Sequence, residues 1–317
     1  MADRHEGSGL IDVHAHFLTD HYVHAAQAAG ITHPDGMPTW PVWTEDDHLN
    51  FMAENRIAQS VLSISSPGVH FGDDSDAAQL ARHVNEYAAA LVAEHRPRFA
   101  FFASVPLPCV EAALEEAAYA MDSLGARGVV LMSNSAGVYL GDPSLDPLWE
   151  MLNQRGGIAF EHPTSPPQID ATALGRPSPM VEFMFETTRS ITDLIFAGVQ
   201  ERYPRIRFVI PHCGATLPIL VDRVELFRSS LPGSHDRPRS TLTTRQQLQR
   251  FWYDLAGTAF PASANALLGV VGSEQILYGS DFCWTSSMGA SHQLTVIEQQ
   301  PMQWRTLTTA NAERLLS

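Results

Sequence analysis

Lysine is absent from all 317 residues, and the 20 basic side chains counted under lysine plus arginine are all arginine. That absence excludes Schiff-base chemistry, a P-loop lysine and a carbamylated lysine bridging two metals, so any metal centre here is expected to be mononuclear. Cysteine is scarce as well. Cys109, Cys213 and Cys283 are too few and too scattered for a disulfide framework, which points to a reducing cytoplasm. Positive charge is in deficit: a formal net charge of -15 argues against nucleic acid or an anionic membrane as partner. Long apolar runs are missing too. None approaches the roughly 18 residues of a membrane span, and the opening MADRHEGSG is polar with no apolar signal core behind it.

What is present reads as a well-buried globular chain, 44% hydrophobic and 17% charged. Short apolar runs alternate with helical patterns throughout. LIDVHAHF, IAQSVLSIS, FAFFASVPL, GVVLMS, GIAFEHP, IRFVIPHCG, FWYDLAG and ILYGSDF read as eight strands. Each is followed by a helix or a long loop, including a helix predicted over residues 180–203. Eight such units over this length predict a single (β/α)8 TIM-type barrel spanning 1–317, with insertions at about 18–50 and 231–250. A doubly wound open sheet is the alternative, weakened because no glycine-rich dinucleotide fingerprint follows the first strand.

Barrel enzymes carry their chemistry at the C-terminal ends of strands. Those ends supply His14 and His16 on strand one, Glu161-His162-Pro163 on strand five, His212 on strand six and Asp281 on strand eight. Residues i and i+2 of a strand share a face, so His14 and His16 point to one place. Three imidazoles (His14, His16 and His162) and the Asp281 carboxylate suit Zn2+, Mn2+ or Fe2+ rather than Ca2+ or Mg2+, which prefer oxygen. His212 is expected beside the ion, hydrogen-bonding substrate or tuning a proton. No organic cofactor is required.

These motifs together (HxH, EHP, PHCG and YGSDF) resemble the amidohydrolase superfamily. More narrowly, they resemble its decarboxylase branch, related to aminocarboxymuconate semialdehyde decarboxylase and γ-resorcylate decarboxylase. HPDGMPTWPVW, SPGVHF and GVYLGDPSLDPLWE are further similar to 6-methylsalicylate decarboxylase-like members. The resemblance covers nearly the whole chain. It implies one Zn2+ or Mn2+ ion held by His14, His16, His162 and Asp281, with His212 as the catalytic histidine. It also implies that Arg223 helps hold substrate and that the protein is a homodimer. Ala215 stands where γ-resorcylate-type enzymes carry Glu, which is a departure from that pattern.

The activity expected on this basis is nonoxidative decarboxylation of an ortho-hydroxy aromatic acid such as 6-methylsalicylate. Asp281 is the expected proton donor, with His212 hydrogen-bonded nearby. Trp40, Trp43, Phe282 and Trp284 are expected as an apolar wall for the ring, and His70 as a substrate contact. Ser133 is expected either to bond a ligand or to cap the next segment, and Asp254 to support the site from strand seven. The arginine-rich loop near residue 237 is either a subunit contact or a solvated loop. Hydrolysis of a lactone or amide at the same mononuclear centre is the second reading. A non-enzymatic metal-binding protein is the third.

Overall fold

A computed structural model of the chain describes residues 9–230 and 241–317. Eight parallel strands form the barrel. They are β1 (Leu10–His16), β2 (Ile57–Ser63), β3 (Phe99–Phe101 continued by Ala103–Ser104), β4 (Gly128–Met132), β5 (Ile158–His162), β6 (Arg207–Ile210), β7 (Trp252–Asp254) and β8 (Ile276–Leu277). Neighbours pair in sequence order. A bridge from Asp12 to Tyr278 joins β1 to the strand after β7, closing the circle. The fold is a (β/α)8 barrel.

Two strands are shorter than their apolar runs suggest. β3 is interrupted at Phe102, whose N–H bonds Leu62 O at 2.9 Å while the ring turns into the barrel. β8 ends at Leu277, because the next residues leave the ladder to meet β1.

The barrel interior is filled by inward side chains such as Val13, Val61, Phe102, Val130, Phe160 and Val209. Helices cover the outside with their apolar faces, as expected where a parallel sheet is shielded on that face. The C-terminal helix Trp304–Leu316, unread in the sequence, adds Ala312 and Leu315 to the interior cluster. Arg207 at the start of β6 donates to the carbonyls of Leu315 and Ser317. One end of the barrel is thus plugged, and the strands' C-terminal ends are left for chemistry.

The insertions differ from the expected loops. Residues 18–50 contain the helix Asp20–Ala28, capped by the Thr19 hydroxyl accepting from Tyr22 N at 3.0 Å, and a tight turn at Pro34–Gly36. In the second insertion, Thr244–Leu248 is a helix opened by a capping box between Thr243 and Gln246. The arginine-rich loop near residue 237 lies outside the described residues. The helix expected over 180–203 is two helices, Glu182–Phe196 and Val199–Arg202, because Gly198 adopts φ +66° between them. Among the described residues, no helix is long and apolar enough to cross a membrane.

Candidate metal centre

The two histidines of β1 reach the barrel mouth through a break in its alternation. Pairing with β2 shifts register between Asp12 and Ala15, so Val13 and His14, though adjacent, both face inward. Asp12 stabilises the break: its Oδ1 accepts from the N–H groups of His14 (3.1 Å) and Ser280 (3.0 Å). The segment after β8 is then laced to β1. Asp281 N donates to His14 O at 2.8 Å, and His16 N donates to Phe282 O at 2.5 Å. Gly279 permits this approach, since a Cβ there would meet His14 Cβ at 2.7 Å. Asp281 takes φ +57°, a left-handed conformation that aspartate tolerates better than most side chains.

The outcome is a four-ligand cluster. One donor atom from each of His14, His16, His162 and Asp281 lies within 4.8 Å of every other. His14 Nε2 and His16 Nε2 are 3.0 Å apart, and Asp281 Oδ1 lies 3.2 Å from His16 Nε2 and 3.6 Å from His14 Nε2.

Each imidazole spends its Nδ1 on a fixed acceptor: Asp254 Oδ2 for His14 (2.8 Å), Ser63 O for His16 (3.2 Å) and Pro163 O for His162 (2.7 Å). An Nδ1–H that donates leaves Nε2 as a bare lone pair, so the second contact selects the tautomer that ligates. Two such nitrogens about 2.1 Å from one ion at a right angle would be about 3.0 Å apart, so the observed spacing suits a shared cation.

The electrostatics agree with a cation receptor. Burial, then the neighbouring His14 charge, holds His16 below the ordinary histidine range. Burial and the adjacent imidazoles push His162 well below it. Burial works against charge on His14, but Asp254 and then Asp281 outweigh it and lift the ring to about 9. Burial acts to raise Asp281, yet the close His16 and the nearby His212 and His14 imidazoles hold its carboxyl well below the usual range. A metal entering the cluster therefore competes with a proton on His14 and meets an ionised Asp281.

His212 stands beside the cluster, with Nε2 3.8 Å from Asp281 Oδ2 and a buried Nδ1 that has no hydrogen-bond partner among the described residues. Asp254 ties it to the ligands: Oδ1 accepts from His212 N at 2.9 Å while Oδ2 holds His14. The cluster opens onto a cavity of about 300 Å³. Its walls are Met37, Pro179, Met180, Phe183, Met184 and Trp284, with Asp35, Ser65, Ser66, Thr258 and Ser263 among its polar lining.

The four expected substrate contacts lie elsewhere. Phe282 turns away, stacked on Phe51 at 4.6 Å and against His48, because its backbone is committed to β1. Trp43 donates to His48 Nδ1 at 3.1 Å and packs against Phe17 and Tyr87. His70 bonds Asp74 at 2.8 Å and lines a neighbouring cavity. Arg223 lies on the outer helix Leu217–Ser230, its guanidinium 5.1 Å from the Phe227 ring centroid, in a surface groove. Of the expected aromatic wall, Trp284 lines the cavity and Trp40 backs it at 5.8 Å. Ser133 braces the loop after β5, accepting from Thr164 N at 3.0 Å. Asp35 and the methionines went unread. The one available signal for Asp35 was the Pro34-Asp35-Gly36 turn, which places a polar side chain at a sharp bend.

Because Asp254 orients both His14 and His212, Asp254→Asn is expected to lower metal affinity about 10- to 100-fold with the fold intact. Chelator competition alongside circular dichroism measures this, and unchanged affinity would remove Asp254 from that role.

Comparison with known proteins agrees with this geometry. The chain is 35% identical over 289 residues to a decarboxylase (yanB) of Aspergillus niger, covering 86% of this chain and 76% of that protein. It is 33% identical over 278 residues to the 6-methylsalicylic acid decarboxylase of Penicillium expansum, covering 86% and 84%. A crystal structure described as an amidohydrolase II superposes with TM-score 0.91 at 31% identity, over 97% of this chain and 99% of that one. A dihydroxybenzoic acid decarboxylase of Polaromonas sp. JS666, solved with manganese and 2-nitroresorcinol, shares the fold at TM-score 0.83 and 21% identity, over 98% and 97%. The model of the family described as amidohydrolase matches residues 11–317, and the chain belongs to that family.

Proposed function

We propose that this protein is a metal-dependent, nonoxidative decarboxylase of an ortho-hydroxy aromatic carboxylic acid, 6-methylsalicylate or a close analogue. The observation that carries the reading is the His/Asp cluster, with His212 beside it, at the edge of a small cavity with both apolar and polar walls. About 300 Å³ is at the lower end of ligand-site volumes and suits a single ring. Neither arginine nor lysine lines that cavity among the described residues, so no guanidinium or ammonium group faces the acid's carboxylate there. The names of the relatives at 33–35% identity point to the same chemistry.

His14, His16, His162 and Asp281 would hold the ion, and the mixed nitrogen and oxygen donor set suits Zn2+ or Mn2+. When bound, the ion supplies positive charge for the carboxylate and the adjacent phenolic oxygen. Asp281, ionised in the resting site, accepts a proton from the substrate hydroxyl or from solvent through His212. It then delivers that proton to the ring carbon bearing the carboxylate. A C–H bond forms, the ring–carboxylate bond breaks, CO2 leaves and its bonding pair restores aromaticity. One proton is consumed overall, and no oxidant is needed. Met180, Phe183, Met184 and Trp284 hold the ring and keep water out.

The metal-loaded protein incubated with 6-methylsalicylate, salicylate and γ-resorcylate is expected to release CO2 and the matching phenol without net uptake of water. Asp281→Asn is expected to lower turnover by about 10²–10⁴-fold with the fold retained. Near-normal activity of that variant would remove Asp281 as proton donor, and water-adding products from a lactone or amide would support the hydrolase reading.

We further infer a homodimer in the cytoplasm. Three unpaired cysteines suit a reducing compartment. Phe185, Phe196, Ile219, Leu226 and Phe227 are exposed on two neighbouring outer helices, and Ile219 retains 75% of its accessibility. So large an exposed apolar face is characteristic of a protein contact. Light scattering is expected to give twice the chain mass, shifting to one chain mass in Phe227→Asp, whereas a monomeric wild type would contradict the inference.

A further inference from the structure

Outside the four-ligand cluster, one carboxyl lines the cavity: Asp35. It projects from the Pro34–Gly36 turn with φ +51°. That turn is wedged against the loop after β5, since a Cβ on Gly36 would meet Pro177 Cα at 3.2 Å. Its charge is met by two hydroxyls and one backbone N–H, that of Ser165. Ser165 Oγ donates to Asp35 Oδ1 at 2.5 Å, Ser66 supplies a second hydrogen bond, and Ser165 is itself paired with Ser178 Oγ at 2.7 Å. Burial pushes this carboxyl upward, and those hydroxyls act against the shift. A carboxylate has about four acceptor positions; the two hydroxyls and the Ser165 N–H fill three, which leaves one for a ligand. Of the apolar walls (Met37, Pro179, Met180, Phe183, Met184 and Trp284), only Trp284 carries a side-chain N–H, and the remaining donors of the lining include the hydroxyls of Ser65, Thr258, Ser263 and Thr285.

We propose that Asp35 determines substrate specificity by accepting a hydrogen bond from a donor substituent on the aromatic acid, a second ring hydroxyl distinct from the one beside the carboxylate. The inference rests on the decarboxylase reading and ranks substrates within it: a dihydroxy aryl acid is favoured over 6-methylsalicylate, whose methyl group presents only C–H. A shielded acceptor left without a donor costs binding energy, so a ring that presents only C–H to Asp35 is penalised and one that presents O–H is not. Asp35 repels a carboxylate brought to the same wall, which favours binding the acid with its carboxylate toward the cluster.

The test uses metal-loaded wild type, Asp35→Asn and Asp35→Ala. It measures kcat/KM on salicylate, on the 2,3-, 2,4-, 2,5- and 2,6-dihydroxybenzoates, and on the analogues in which the second hydroxyl is methoxy. Calorimetric binding of phenol, catechol, resorcinol and hydroquinone runs in parallel and requires no turnover. In wild type, one hydroxyl position is expected to raise kcat/KM at least about tenfold over both salicylate and its methoxy counterpart. The matching dihydroxyphenol should bind more tightly than phenol. Both ratios should collapse toward one in Asp35→Ala and survive in part in Asp35→Asn, which keeps an acceptor oxygen.

The absence of a preference in wild type, a methoxy group serving as well as hydroxyl, or a ratio unchanged in Asp35→Ala would each overturn the proposal. If no aromatic acid loses CO2, the decarboxylase reading fails, while the phenol series still decides whether Asp35 reads a donor.

Discussion

In their ligating tautomers two imidazole lone pairs 3.0 Å apart repel each other, and with a third imidazole and an ionised carboxylate converging on them the arrangement calls for a cation, either a proton on His14 or a metal ion shared by all four. The rest of the active end is organised around maintaining that convergence. Every ligating histidine is committed through Nδ1 to an acceptor that cannot swing away: a buried aspartate on β7, a carbonyl at the end of β2, or the carbonyl of the next residue. The barrel supplies the rigidity. Its ladders fix where the strand ends lie, and the ligands project from three of them.

The same economy appears in the acidic residues. Asp254 serves His14 with one oxygen and the His212 N–H with the other, so the candidate metal cluster and His212 share one support. Asp12 pins the bulge that turns His14 inward and captures Ser280, which sets Asp281 against the histidines. Asp12 is pushed up to about 7 by burial, with the Ser280 hydrogen bonds opposing the shift. A carboxyl so raised is only partly ionised near neutral pH and acts chiefly as a hydrogen-bond acceptor.

What could be read from the residues alone was whatever depends on short-range periodicity and on strand ends. The i, i+2 spacing of His14 and His16, the strand-end positions of His162 and His212, and the YGSDF stretch placed these groups at one mouth because parallel strands must present their C-terminal ends together. The contacts expected of Trp43, His70, Phe282 and Arg223 depended on where loops and outer helices turn, and no local pattern encodes that. Phe282 is the clearest case. It neighbours Asp281 in sequence, yet the backbone bonds that deliver the carboxylate send the ring the other way. Asp35 was illegible for the opposite reason: its turn was visible, but its delivery to the cavity depends on the loop after β5. The helix Asp20–Ala28 was hidden by its weakly apolar composition, and its Thr19 cap was the missed signal.

The central claim is that one divalent ion is shared by residues from β1, β5 and the segment after β8. Anomalous diffraction at the manganese edge, on crystals grown with Mn2+, tests it most directly. The account predicts a single strong peak per chain within bonding distance of His14, His16, His162 and Asp281. A peak at another group of residues, or none at this cluster under saturating manganese, would contradict it.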